Sequence, residues 1–555
     1  MVIYQIFTRL FGNTQATNRP NGTLAENGCG KFNQITTRAL NSIKELGVTH
    51  VWFTGIISHA SQTGYPQYTI KANHSAIVKG KAGSPYAIRD YYDVDPDLAE
   101  NISDRMKEFQ ELITRTHQIG LKAIIDFVPN HVARQYHSTS KPKDTADLGE
   151  NDRTDWHFSP QNNFYYIPNT PFAPQFPLNG YSENPAKATG NDCFSPSPSV
   201  TDWYETVKLN YGVDYRGDGS GHFNPIPDTW FKMRDILLFW ADKKVDGFRC
   251  DMAEMVPVEF WHWAIPQIKK SFPYIIFIAE VYNPDRYRDY IFQGDFDYLY
   301  DKVGRYDTLR NVICNNEPAS NITQQWQNVS DIQNHMLNFL ENHDEQRIAS
   351  TFFANDATKG KPAILVSALL SNCPTMIYCG QELGEKGMEE EGFSGLDGRT
   401  TIFDYWTVDT IKRWTNNGKF NAKLLTKEEL DLRCFYKKVL NIKLSEKAVN
   451  EGVMYDLTWM NLKNPNYNTS KYFSWIRKAD KETILIIANF DKNTANIKLN
   501  IGQHAFDFLH LQESKKLHTT DLLTGKKSVY QLSPNIAFNC LVEGNNGIIL
   551  KFNNF

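Results

Sequence analysis

The chain has 555 residues, of which 41% are hydrophobic and 22% charged, and a formal net charge of −4. This is the composition of a globular protein with enough apolar material for a large core, and its mild acidity gives no reason to expect a nucleic-acid or anionic-membrane partner. No run of 18 or more apolar residues is present, so no transmembrane helix is expected, and eight scattered cysteines without a CxxC spacing argue against a zinc or redox site.

The length suggests about three or four domains, fewer if one of them is a large α/β barrel. The chain opens on an apolar run, Val2-Ile3-Tyr4-Gln5-Ile6-Phe7, which reads as a strand. No secretory leader precedes it, which leaves the compartment open among secreted, periplasmic, cell-surface and cytoplasmic. A Gly/Asn-rich loop follows, then a helix stopping at Gly47, then a second strand over Val48–Phe53. Ile102, Met106, Phe109 and Ile113 recur at helical spacing before Gly120, and Leu121–Phe127 reads as a third strand. This alternation predicts parallel β/α units.

From His131 to Pro225 the alternation stops, in a stretch rich in Pro, Asn, Ser and Tyr. So long a structureless loop is implausible inside a compact domain, so the segment is expected to be a small irregular domain inserted after strand three. Regularity resumes at Asp228, placed as a helix N-cap, with Trp230, Met233, Leu237 and Trp240 on one face. Strands are expected through Gly247–Asp251 and Tyr274–Glu280, in the run His335–Asp344, and over Pro374–Cys379. From about Val453 short strands spaced by Asn, Gly and Lys predict a small all-β domain.

Four of the apolar strands end in polar residues: Asp126 to His131, Arg249 to Asp251, Glu280, and His343-Asp344. Charged residues at the ends of several apolar strands are the layout of a β/α barrel whose active site lies on its carboxyl face. Arg249 and Asp251, two apart, share a strand face, and the guanidinium is expected to keep Asp251 ionised as a nucleophile. Glu280 has no cation beside it in sequence, so desolvation is expected to keep it protonated as a general acid. Asp344 is assigned to sugar hydroxyls and an oxocarbenium-like transition state, and His131 and His343 to gripping the sugar at the cleavage point.

These stretches resemble the alpha-amylase family, glycoside hydrolase family 13. Asp126-Phe127-Val128-Pro129-Asn130-His131, Gly247-Phe248-Arg249-Cys250-Asp251, Glu280-Val281 and Asn342-His343-Asp344 are similar, in order, to its four conserved regions. The resemblance implies a (β/α)8 TIM barrel over residues 1–131 and 226–452. It also implies an inserted domain over 132–225 and a C-terminal antiparallel β-sandwich over 453–555. By resemblance Asp251 is the nucleophile, Glu280 the acid/base, Asp344 the transition-state stabiliser and Arg249 the family's arginine. Pro85-Tyr86-Ala87 resembles a Gly-Tyr-Asp motif and makes Tyr86 the ring that stacks on the sugar. Asn130 stands where many members place a calcium ligand, so calcium is the metal to test; no organic cofactor is expected.

The implied function is that of a retaining alpha-glucan hydrolase acting on alpha-1,4 bonds of starch, glycogen or maltooligosaccharides, as a monomer. Glu254 and Met255 stand where many alpha-amylases carry Lys-His, and Trp230 replaces a motif Asn. Alpha-1,6-cleaving, maltogenic and transglycosylating activities therefore stay open. A non-catalytic sugar-binding protein is a remote alternative, since all three carboxylates are present.

Overall fold

Eight short parallel strands, rich in β-branched and aromatic residues, form the centre of the molecule. They are β1 Val2–Phe7, β2 His50–Thr54, β3 Lys122–Phe127, β4 Gly247–Cys250, β5 Ile276–Ala279, β6 Tyr298–Tyr300, β7 Met336–Leu337 and β8 Thr375–Tyr378. The computed structural model describes residues 1–553. The strands pair in the order β7-β6-β5-β4-β3-β2-β1-β8. A parallel bridge between Asn338 and Thr375 closes the ring, with Asn338 N donating to Pro374 O at 3.0 Å and Met376 N to Asn338 O at 2.8 Å.

Helices follow the strands in turn: α1 Thr37–Lys44, α2 Arg105–Gln118, α3 Asp228–Asp242, α4 Val258–Ser271, α5 Tyr287–Phe292, α6 Asp307–Ile313, α7 Lys361–Leu369 and α8 Lys427–Ser445. This is a (β/α)8 barrel. No helix among the described residues is long and apolar enough to cross a membrane.

Strand parity decides what fills the barrel. Ile3, Trp52, Ile124, Ile278, Tyr300, Leu337 and Met376 make one buried cluster. Their neighbours in sequence, among them Val2, Tyr4, Val51, Ala123, Ile125, Phe277, Leu299 and Ile377, belong to the core shared with the helices. Because side chains alternate with a period of two, Asp126 follows Ile124 inward and Glu280 follows Ile278. Arg249 lies opposite both Asp126 and Ile278 in the strand register, so it belongs to the same ring. The polar strand ends thus sit on top of an apolar plug.

Three features depart from the sequence reading. The sixth strand, Tyr298–Tyr300, is only three residues long and carries too little pattern to be seen beforehand. The seventh is reduced to Met336–Leu337, and the chain beyond it becomes a turn that delivers Asn342 to Asp344. Asp228 is the first helical residue of α3, with Pro227 at the cap position.

Between β3 and α3 the ordered pairing is two short antiparallel ladders, His131–Ala133 with Thr206–Lys208 and Tyr166–Ile167 with Ala186–Lys187. At the other end of the chain lie β9 Val453–Asp456, β10 Tyr472–Ala479, β11 Glu482–Asn489, β12 Ala495–Leu499, β13 Ser514–Asp521, β14 Lys527–Leu532, β15 Phe538–Val542 and β16 Asn546–Asn553. Six of them form a sheet in the order β9-β10-β11-β16-β13-β14, and β12 pairs with β15. Ile476, Leu485, Ile487 and Leu550 pack across to Ile497, Leu499, Phe538 and Val542. The opposite face, with Phe473, Trp475, Ile484 and Ile486, joins the core of the barrel helices.

Candidate active site

Arg249 is the hub of the barrel mouth. Its guanidinium is buried, with Cζ 5.3 Å from the ring centroids of each of Trp52, Tyr86 and Tyr300. Nη1 reaches Asp251 Oδ1 at 2.7 Å, Nη2 reaches Glu280 Oε1 at 2.7 Å, and Asp126 Oδ1 lies 3.6 Å from Nη1. Nε donates to the Tyr300 hydroxyl at 3.2 Å. One planar fork therefore holds Asp251 and Glu280 side by side. The sequence shows no cation beside Glu280; the fold supplies Arg249.

Two more donors fix Glu280. The Tyr282 hydroxyl donates to Oε1 at 2.6 Å, and the Met252 amide donates to Oε2 at 2.8 Å. That amide is aimed by a left-handed residue, since Met252 has φ +42° directly after Asp251. Non-glycine residues rarely adopt this conformation, and it recurs where a site constrains the backbone.

Asp344 stands on the turn after β7. Its backbone amide donates to Asn342 Oδ1 at 2.9 Å, and its side chain is 38% exposed to the cavity. Gln5 Nε2 donates to His343 Nδ1 at 2.8 Å, which leaves the Nε2 proton for Asp344 Oδ2 at 3.0 Å and for the Tyr86 hydroxyl.

The charges follow from this crowding. Burial raises Asp251 well above the usual carboxylate range against the pull of Arg249, and Glu280 and Asp344 push the same way. Asp126 is also raised, chiefly by burial and against Arg249. Burial also works on Asp344, but His343, Arg249 and Arg399 prevail and hold it at about 2. Asp251 and Asp126, both raised by burial, share one guanidinium, so their titrations are linked. Burial outweighs the guanidinium here, which corrects the expectation that Arg249 keeps Asp251 ionised.

His131 is buried, and burial together with Lys208 lowers it to about 3, so it is a neutral imidazole. Asp251, Glu280, Asp344, Tyr86 and His131 line one cavity of about 250 Å³; Arg249 lies beneath it, and His343 is tied to its wall through Tyr86 and Asp344. Lys79, Trp203, Glu205, Tyr282 and Phe403 are among the other residues of its walls. Tyr282 could have been found from sequence, being two residues beyond Glu280. Trp203 and Glu205 come from the segment between β3 and α3, where no periodicity announces them.

Asn130 is buried next to His131 and hydrogen-bonds to Gly190 and Lys208. Its Oδ1 accepts a hydrogen bond from Lys208 Nζ at 2.8 Å. A calcium ion needs six to eight oxygen ligands, and an ammonium on this oxygen does not fit one.

The "Alpha amylase, catalytic domain" family matches residues 5–419. The chain belongs to the alpha-amylase family. Alpha-amylase 3 of Dictyoglomus thermophilum is 22% identical over 542 residues, covering 93% of this chain and 89% of that one. A cyclomaltodextrinase of Bacillus sp. is 23% identical over 526 residues, covering 91% and 75%. Among solved structures, a maltogenic alpha-amylase, AmyB, from Thermotoga neapolitana superposes with a TM-score of 0.63 at 19% identity, covering 100% of this chain and 99% of that one. The acarbose-complexed alpha-amylase of Geobacillus thermoleovorans gives 0.64 at 19%, covering 100% and 98%. In this alpha-amylase family chain the carboxylate cluster occupies the carboxyl face of the barrel, where (β/α)8 enzymes carry their active sites.

Proposed function

We propose that the protein is a retaining alpha-glucan hydrolase that cleaves alpha-1,4-glucosidic bonds, with Asp251 as nucleophile, Glu280 as acid/base and Asp344 as transition-state stabiliser. The observation that carries this reading is the single Arg249 fork bonded to both Asp251 and Glu280 at 2.7 Å, beside Asp344 in one cavity.

The chemistry runs in two displacements. Glu280 gives its proton to the glycosidic oxygen as the C1–O bond breaks, and a carboxylate oxygen of Asp251 bonds to C1. The leaving sugar departs with that proton, and the glycosyl unit remains as an ester of Asp251. Water then attacks C1, Glu280 takes one of its protons, and the ester bond breaks to restore Asp251. Asp344, ionised and half-exposed, faces the positive charge that develops on the ring in both steps. The mechanism requires Asp251 to be charged when substrate is bound, with Arg249 balancing that charge. His131 and Tyr86 bound the same cavity and supply a neutral donor and a ring face for the sugar.

The test is the anomeric form of the first product released from a maltooligosaccharide, followed by proton NMR. The alpha anomer is expected; the beta anomer would refute the assignment of Asp251. A second reading, maltose-forming action on small or cyclic substrates, is favoured by the likeness to a cyclomaltodextrinase and a maltogenic amylase. Comparing the products from starch, pullulan and a cyclodextrin separates the two readings.

A further inference from the structure

Lys208 has no place in the chemistry above, yet it is one of the most deeply buried charges in the molecule, with its side chain 1% exposed. It lies directly opposite His131 in the two-stranded ladder. Its ammonium donates to Asn130 Oδ1 at 2.8 Å and pairs with Asp192 Oδ1 at 2.6 Å, with the Tyr215 ring centroid 5.1 Å away. Asn130 in turn donates to Gly190 O at 2.7 Å, and its amide nitrogen is 3.1 Å from His131 Nδ1.

The loop carrying Gly190 and Asp192 is pressed against the histidine. A Cβ on Gly190 would lie 2.9 Å from His131 Cβ and 2.6 Å from Thr206 Oγ1, so no side chain fits there. One ammonium thus joins three pieces of chain: the end of β3, the ladder strand Thr206–Lys208, and the loop at 188–193. Burying an ammonium is costly unless it is paired and hydrogen-bonded, and here it is both. A divalent cation at the same oxygen would meet a like charge.

We propose that the Lys208 ammonium is the resident cation of this junction. It does with a covalently attached charge what a bound calcium ion would do at Asn130. It ties the segment after β3 to the barrel and, through Asn130, positions His131 in the cavity wall. The enzyme is then independent of divalent metal for its stability.

The experiment is thermal melting of the full chain in EDTA and in millimolar calcium chloride, for the wild type, Lys208→Met and Asp192→Asn. The wild type melts at the same temperature in both buffers. Lys208→Met melts several degrees lower and calcium does not restore it; Asp192→Asn, which neutralises a half-exposed partner, loses less. In Asp192→Asn the KM for a maltooligosaccharide rises several-fold while kcat barely changes, because His131 is displaced and the carboxylates are not. A wild type that loses several degrees in EDTA and regains them with calcium overturns the proposal, and so does Lys208→Met with wild-type melting or Asp192→Asn with unchanged KM. If Lys208→Met does not fold, the wild-type and Asp192→Asn arms still decide. The KM arm rests on the hydrolase reading; the melting arms need no substrate, so failure of that reading shows separately.

Discussion

Asp251 shows how a single residue can work against the fold that holds it. Burial beside Glu280 and Asp344 raises its pKa in the folded state, and the protonated form is then the one the fold prefers. A carboxyl with a raised folded pKa contributes stability that is full below its unfolded pKa of about 3.9 and is lost as pH rises through the folded value. At neutral pH the charge that the proposed nucleophile role requires therefore costs stability. Asp251→Asn is expected to be inactive yet to melt higher than the wild type at pH 7, by the equivalent of about 1–2 kcal/mol, and the difference should shrink as pH falls. Arg249 keeps Glu280 and Asp126 as partners in that variant, so no buried cation is stranded. Asp344 has the opposite sign. Held at about 2, it contributes stability above its ordinary pKa that is lost as pH falls from about 4 towards 2.

At the scale of the element, the site is a product of strand parity and one strained turn. Part of this was legible beforehand: Arg249 and Asp251 could be put on one strand face by their spacing, and Asp126 and Glu280 could be placed at the ends of apolar runs. The polar ends of β3, β4 and β5 are where they were expected. The three-residue β6 and two-residue β7 were not legible as strands, because two or three residues hold no periodicity and their pairing is imposed by neighbours. The ring formed by Arg249 with Glu280 was also hidden, since it joins β4 to β5 and only the register brings them level. Lys208, on a three-residue ladder strand, and Trp203 and Glu205, in the turn before it, stayed invisible for a different reason: so short a stretch carries no periodic pattern. The turn at Met252 yields a prediction of its own. With φ +42° it tolerates Gly but not a β-branched residue. Met252→Gly should keep most of the activity, whereas Met252→Val should lose about 1–3 kcal/mol of stability and lower kcat, because the amide no longer points at Glu280. Denaturant unfolding and kcat on a maltooligosaccharide check both.

For the whole molecule, the C-terminal sheet is part of the barrel's own core. Trp475, Ile484 and Ile486 pack with Leu365 and Leu369 of α7, and Trp475 Nε1 donates to Leu369 O at 3.3 Å. Arg477 staples the joint with no carboxylate partner among the described residues. It donates to Leu370 O at 2.7 Å, Val449 O at 2.7 Å, Gly452 O at 2.8 Å and Ala448 O at 3.1 Å. Removing it takes a donor from each of those buried carbonyls, and a buried acceptor left unsatisfied costs about 1–3 kcal/mol. Arg477→Met should therefore lower the melting temperature, with hydrolysis and circular dichroism lost together on heating, while kcat at 25 °C stays unchanged. Loss of the sheet's signal well before activity would show the two parts to be independent.

The central claim is that Asp251 carries the sugar between two displacements while Glu280 moves the proton. It is tested most directly by trapping the intermediate. In Glu280→Gln, an alpha-glycosyl fluoride can load the enzyme without acid help, because fluoride leaves readily, but water is no longer activated to release it. Intact-mass and peptide mass spectrometry should find one glycosyl unit per chain, on the peptide containing Asp251. An adduct on Asp344 or Asp126, or turnover of the fluoride with no adduct and wild-type activity on starch, would contradict the account.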